Sequence, residues 1–302
     1  MPSVWSRRGF LAITAGVALT AACGPRPGEV ASDGSVTVRH VFGETRIPAP
    51  PTRVVSAGLT EQDDLLAVGV VPIAVTEWFG GEQFAVWPWA RPRLGDAQPV
   101  VLSLDDGIQV DRIAELSPDL IVATNAGLDR GTYERLSQIA PTIAQSGRDA
   151  FFEPWRDQAT IIGQAVFKNE EMQQVIADVE ERFAAVDRAH GEFAGKTVLL
   201  LEGRLDDGQI RPLTPRWRSD FLTAMGFSVP DHTDPQAADV LIWTTETDED
   251  RAALEADPTV APHLRRSVFT DRELAAAIAF GSPLSYPVVA DRLPPLIAPV
   301  LG

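Results

Sequence analysis

The stretch from Asn169 to Gly191 (NEEMQQVIADVEERFAAVDRAHG) sets the strongest constraint on the fold. Val175, Val179, Phe183 and Val186 recur at helical spacing, with Met172, Ile176 and Ala184 beside them. Glu170, Glu171, Asp178, Glu181 and Arg188 take much of the other side. Asn169 suits an N-cap, Glu170 and Glu171 suit the positive end of the helix dipole, and Gly191 is a stop. A helix of this length reaches about 30 Å, the width of a small domain. Alone, it fits either an amphipathic helix on one domain or a rigid strut between two. The flanking segments decide between these.

Before the stretch, strand and helix patterns alternate. Val36–Phe42 and Thr45–Ile47 read as a hairpin turning at Gly43-Glu44, closed by Pro48, Pro50 and Pro51. Arg53–Ala57 is a buried-type strand, Thr60 with Asp63 a capping-box-like helix start, and Val71–Val75 the next strand. This β-α-β unit implies a parallel pair. Thr76–Gly107 reads as a long loop rich in aromatics and arginine. Ile108–Leu116 is predicted helical, Pro118–Ala123 a strand, Thr132–Ile139 a helix and Pro141–Ala144 a strand. Phe151–Pro154 opens a helix expected to run into the strut.

After the stretch the pattern restarts. Strands are predicted at Lys196–Leu201, Ala238–Trp243 and Ser267–Phe269, and helices at Trp217–Met225, Glu249–Ala256 and Tyr286–Leu301. The predicted class is therefore α/β, with two Rossmann-like lobes joined by one long helix. The boundaries are residues 35–168 for the first lobe, 169–191 for the linking helix and 192–302 for the second lobe.

Residues 1–22 read as a targeting segment. Ser6-Arg7-Arg8-Gly9-Phe10-Leu11 is a twin-arginine pattern, and the apolar run Ala12–Ala22 is too short and interrupted to span a membrane. Cys23, the single cysteine, follows small residues and resembles a lipidation site; ordinary signal-peptidase cleavage is the alternative. Residues 23–34 then form a tether. These features place the protein in the cell envelope, exported by the twin-arginine route and lipid-anchored on the outer face of the cytoplasmic membrane through Cys23. The formal charge is −16, which disfavours nucleic acid as a partner. Lys168 and Lys196 are the only lysines, so arginine carries nearly all the positive charge.

Four segments carry a family resemblance: Pro51–Ser56, Val110–Val122, Leu136–Thr142, and Ser282–Pro287 leading to Asp291–Leu296. In this order and spacing the chain resembles the substrate-binding lipoproteins of ABC importers, the class III periplasmic-binding-protein fold. Within that class it is similar to ferric-siderophore and haem binders of the FecB type, particularly actinobacterial ones. The resemblance implies a ferric siderophore or haem as ligand, an ABC transporter permease as partner, no catalysis and no cofactor. It matches Asp111 to a permease-docking acid. It also implies a helix between Ser228 and Ala238 bearing the second docking acid. That segment is too short here and looks deleted, with Asp231 or Asp234 left to supply the charge.

Ligands of open α/β sheets lie beyond the carboxyl ends of the strands. The residues expected there are Trp78, Trp87, Arg91, Asn125, Phe152 and Trp155 on the first lobe, and Arg204, Arg211, Trp217 and Thr245 on the second. Aromatic faces and guanidinium groups suit a large, flat, anionic ligand. The alternative for the aromatic loop is that it packs onto its own lobe. Cobalamin and a directly bound divalent metal are alternative ligands; the scattered His40, His190, His232 and His263 speak against the metal. An enzyme on the same fold is a further alternative, but no P-loop, G-x-G-x-x-G, H-E-x-x-H or Ser-His-Asp order is present.

Overall fold

The structure is a computed structural model that describes residues 28–147, 149, 151–231 and 234–302. The twin-arginine segment, Cys23, the first part of the tether, His232 and Thr233 lie outside these residues. The first lobe opens with an antiparallel hairpin, β1 (Val36–His40) and β2 (Gly43–Ile47). It continues through β3 (Val54–Ser56), α1 (Glu61–Ala67), β4 (Ala74–Thr76), β5 (Val100–Leu102), α2 (Val110–Glu115), β6 (Leu120–Ala123), α3 (Arg130–Ser137) and β7 (Thr142–Ala144). Five of these strands form one parallel sheet in the order β5-β4-β3-β6-β7. The expected long loop therefore contains a strand. β5 is a three-residue edge strand with Val101 exposed, so it shows almost no periodicity to read.

Thr60 does not cap α1 through its side chain, and Asp63 closes no capping box. Both side chains are drawn into tertiary bonds instead. Asn169 is likewise the first helical residue, with Lys168 at the cap position.

α4 (Trp155–Ala165) does not run into α5 (Asn169–Ala189). The chain turns back at Phe167, which takes φ +61°. The two helices then pack antiparallel: Gly163 lies against Met172, Gln173 Nε2 donates to Thr160 Oγ1 at 3.2 Å, and Arg156 pairs with Glu180. A Cβ at Gly163 would come within 2.6 Å of Met172 Cβ, so only glycine permits this approach. On α5 the buried stripe is Met172, Ile176, Val179 and Phe183, with Val175 and Val186 only partly covered. This stripe, rotated by about one position from the expected one, packs into the core of the second lobe against Phe221, Tyr286 and Val289.

The second lobe contains β8 (Val198–Glu202), α6 (Asp220–Ala224), β9 (Val240–Thr244), α7 (Asp248–Ala256), β10 (Ser267–Phe269), α8 (Arg272–Phe280), α9 (Tyr286–Arg292) and α10 (Pro294–Leu301). Its parallel sheet has three strands, in the order β10-β9-β8. The outer edge of β8 is covered. Ser228 exchanges backbone bonds with Lys196 and Val198, and Arg211 and Leu213 bond Glu202 and Leu200. The expected terminal helix is broken at Leu293-Pro294, where proline cannot donate to the preceding turn. Among the described residues no helix is long and apolar enough to cross a membrane.

Candidate functional site

The carboxyl ends of both parallel sheets point into one cleft. On the first lobe its inner wall is organised by the buried Glu61 at the start of α1. Its carboxylate accepts from the Asn125 amide at 2.8 Å, the Thr60 amide at 3.1 Å and the Thr124 hydroxyl at 3.3 Å. Asn125 Nδ2 in turn donates to Thr60 Oγ1 at 3.0 Å, and its Oδ1 accepts the Phe152 amide at 2.8 Å. That last bond holds Phe152 at φ +57°, a backbone region a bulky residue adopts only under constraint. Its ring is thereby aimed at the second lobe, where the Arg218 guanidinium stands 4.7 Å from the ring centre.

Two adjoining cavities open from this point. One, of about 390 Å³, is lined by Glu202, Gly203, Arg204, Thr244, Glu246 and Asp250. The other, of about 290 Å³, lies between Trp78 and Phe79 on the first lobe and Arg218, Ala275 and Ile278 on the second. They share Leu213, Thr244 and Glu246, so they form one groove of small-molecule size. At Gly203 a Cβ would strike the Thr244 carbonyl, so glycine alone allows β8 and β9 to converge beneath the groove. Deeper in, the lobes nearly touch, and only about 10 Å³ remains between Asn125, Phe152 and Trp155 and the facing Trp217 and Arg218.

The residues expected in the site divide accordingly. Trp78 and Arg204 face the open groove, and Asn125, Phe152, Trp155 and Trp217 line its closed end. Trp87, Arg91, Arg211 and Thr245 line neither. Trp87 is 2% exposed and stacks on Trp89, with centroids 5.1 Å apart, packing against Ala276 and Phe280 of the opposite lobe. Arg91 pairs with Glu82 at 2.5 Å and Arg211 with Asp206 at 3.2 Å. Thr245 is buried, its hydroxyl bonded to the Thr270 carbonyl, while the side chain before it, Thr244, faces the groove. Phe79, Leu213, Arg218, Glu246 and Asp250 complete the walls. Phe79, after a first-lobe strand, and Arg218, among the second-lobe arginines, stand at positions that sequence reasoning also marks; Glu246 and Asp250 carry no such signal.

Beneath the cleft lie four buried carboxyl groups, Glu61, Asp63, Asp64 and Glu153. Among the described residues none has a cationic partner within ion-pair distance. Burial pushes Asp63 up to about 6 and Glu153 up to about 7, and it raises Glu61 and Asp64 as well. Asp63 also ties the lobes together. Its Oδ2 accepts from Trp89 Nε1 at 2.8 Å and from the Ser282 hydroxyl at 2.5 Å across the interface. Arg272 of the second lobe adds a further tie, reaching Glu82 at 2.9 Å and the Gly80 carbonyl.

This architecture has known counterparts. The structure superimposes on the crystal structure of a periplasmic solute binding protein from Mycobacterium smegmatis str. MC2 155 with a TM-score of 0.87 and 63% identity, covering 89% of this chain and 100% of that one. The probable siderophore-binding lipoprotein YfiY of Bacillus subtilis (strain 168) is 29% identical over 235 residues, 76% of this chain and 69% of its own length. The Fe(3+) dicitrate-binding periplasmic protein FecB of Escherichia coli (strain K12) is 31% identical over 197 residues, 65% of this chain and 63% of its own length. The chain thus spans roughly two thirds of each of these two relatives. Residues 54–261, which include both sheets' cleft-facing ends except that of β10, match the family described as periplasmic binding protein. The chain belongs to the periplasmic binding protein family.

Proposed function

We propose that this protein captures an iron chelate, a ferric siderophore or haem, in the groove between its lobes and delivers it to an ABC importer. The observation that carries this reading is the groove itself. It lies at the carboxyl ends of two parallel sheets, and one wall is made by Trp78 and the edge-on ring of Phe79, with Phe152 tilted against Trp78 at the closed end. A flat, partly apolar chelate fits such a wall. The names of YfiY and FecB support the same ligand class. Binding rather than catalysis suits a family of binding proteins. Among the described residues no group of three His, Cys, Asp or Glu is placed to hold a metal ion, which favours a chelate over a bare ion.

The finer parts of the reading rest on the sequence. Export by the twin-arginine route and lipidation of Cys23 would hold the protein on the outer face of the membrane. Asp111, exposed in the first turn of α2, would meet the permease. On the second lobe, Asp231 is paired with Arg216 at 3.1 Å and the Asp234 carboxylate accepts the Gln236 amide, so both candidate acids are already engaged. Docking would then lean on Asp111. The test is tryptophan-fluorescence titration of the purified protein with ferric siderophores, haem, cobalamin and zinc, together with iron uptake by cells carrying Asp111→Arg. Saturable quenching by an iron chelate or haem and loss of uptake are expected. Tight zinc binding with no response to any iron chelate or haem would overturn the reading.

A further inference from the structure

The charge on the groove wall narrows the ligand further. Glu202, Glu246 and Asp250 face the larger cavity, and among the described residues the side-chain carboxylates of Glu202 and Glu246 have no hydrogen-bond or ion-pair partner. Asp250 uses one oxygen in the cap of α7, leaving the other. Against these stand two arginines. Arg204 is exposed at the rim. Arg218 is buried, and its guanidinium already donates to the carbonyls of Thr214 and Ala279 while stacking on Phe152.

The start of α7, which follows β9 at the edge of the groove, is where an α/β site would ordinarily hold an anion. Here it is closed. The Thr247 hydroxyl accepts the Asp250 amide at 3.0 Å, and Asp248, Glu249 and Asp250 put three carboxylates on the first turn. Those acids occupy the positive end of the helix dipole that an anionic ligand would need. The remaining cleft-facing surface, Trp78, Phe79, Leu213 and Ile278, is uncharged.

Building on the iron-chelate reading, we propose that this groove selects chelates of zero or positive net charge, whose cationic or hydrogen-donating arm meets Glu202, Glu246 and Asp250, and discriminates against polyanionic chelates. The chelate's apolar face would lie on Trp78 and Phe79. The arm would reach past Thr244 into the acidic cavity. A chelate carrying several carboxylates or catecholates would bring like charge against the wall, and like-charge juxtaposition is the usual means of rejecting a wrong partner.

The test compares ligands that differ in charge. Isothermal titration of the purified protein would use ferrioxamine B, a ferric trihydroxamate with a terminal ammonium, and its N-acetylated neutral form. Ferric dicitrate and the trianionic ferric complex of enterobactin would be the anionic probes. Ferrioxamine B is expected to bind about fivefold more tightly than its acetylated form, and both at least about a hundredfold more tightly than the anions. In the Glu202→Gln/Glu246→Gln double variant the effect of acetylation should vanish and anion binding should strengthen at least about fivefold. Neither carboxylate supports the fold, so the variant should keep the wild-type melting temperature. Raising NaCl from 50 to 500 mM should weaken ferrioxamine B and strengthen the anions. Tighter binding of either anionic complex, or equal affinities for the acetylated pair, would overturn the charge inference while leaving the iron-chelate reading standing. Failure of every chelate and of haem would overturn both.

Discussion

Among the described residues Asp63 and Glu153 have no cationic partner, and their folded-state values of about 6 and about 7 lie above the 3.8 and 4.5 of the unfolded chain. The folded protein therefore keeps two protons that the unfolded chain releases. Their stabilisation is complete below about pH 4 and is lost as pH rises through 6 and 7, because there the native state binds more protons than the unfolded one. The melting temperature should fall between pH 4.5 and pH 8, corresponding to on the order of 2–3 kcal/mol for each group. Asp63→Asn and Glu153→Gln should each flatten that slope; an unchanged slope in both would refute the assignment. The two tryptophans of one loop should separate in a different way. Trp78→Ala should weaken chelate binding by about 1–3 kcal/mol with little loss of stability, since its ring lines the groove. Trp87→Ala should instead destabilise the fold by about 3–5 kcal/mol, since its ring is buried between lobes. Sequence spacing placed both at a strand end and could not part them, because burial is decided by α8, an element contributed from almost two hundred residues away. Thr244 and Thr245 show the same limit at shorter range: alternation along a strand gives opposite faces but does not say which face is the cleft.

At the scale of elements, strong periodicity was legible and short pieces were not. α5 announces itself by its apolar stripe, and β6 by Leu120-Ile121-Val122-Ala123, buried throughout. β5 was missed because three edge residues, of which only Leu102 is buried, are too few to carry a pattern. The α4–α5 break was missed because Phe167 carries no glycine or proline signal, yet it takes the left-handed conformation that turns the chain. The Ala-rich α8 was overlooked, and with it the far wall of the groove. Its neighbour across that groove, α7, has the full capping box that α1 lacks. Thr247 and Asp250 satisfy each other's amides, so Thr247→Ala should cost about 1 kcal/mol in denaturant unfolding. The corresponding Thr60→Ala should report on the Asn125 and Gln158 bonds instead, leaving the helicity of α1 unchanged by amide exchange.

At the scale of the whole molecule, the lobes are held by the long helix α5 and by a seam on one side of the groove, formed by Asp63 with Ser282, Glu82 with Arg272, and Trp87 with Phe280. Such ties permit only modest relative motion. Small-angle scattering profiles of the free and loaded protein should be nearly superimposable; a large compaction on loading would count against the seam. The acidic groove wall belongs to this scale too, because it joins residues from β8, the loop after β9, and α7 that no local motif links.

Every strand of the five-stranded sheet comes from the chain before α4, and every strand of the three-stranded sheet from the chain after α5. The backbone therefore passes from one lobe to the other once. This has a kinetic consequence. Each sheet can assemble from neighbouring segments without waiting for the other, and the seam can close only after both exist, since Glu82 and Arg272 are separated by nearly two hundred residues. Contacts formed after the rate-limiting step leave their mark on unfolding alone. Arg272→Ala and Ser282→Ala should thus speed unfolding in stopped-flow measurements while refolding keeps its wild-type rate. A core substitution such as Ile121→Val, inside a sheet, should slow refolding as well. The interface that shapes the groove is in this sense the last part of the molecule to form and the first to be lost.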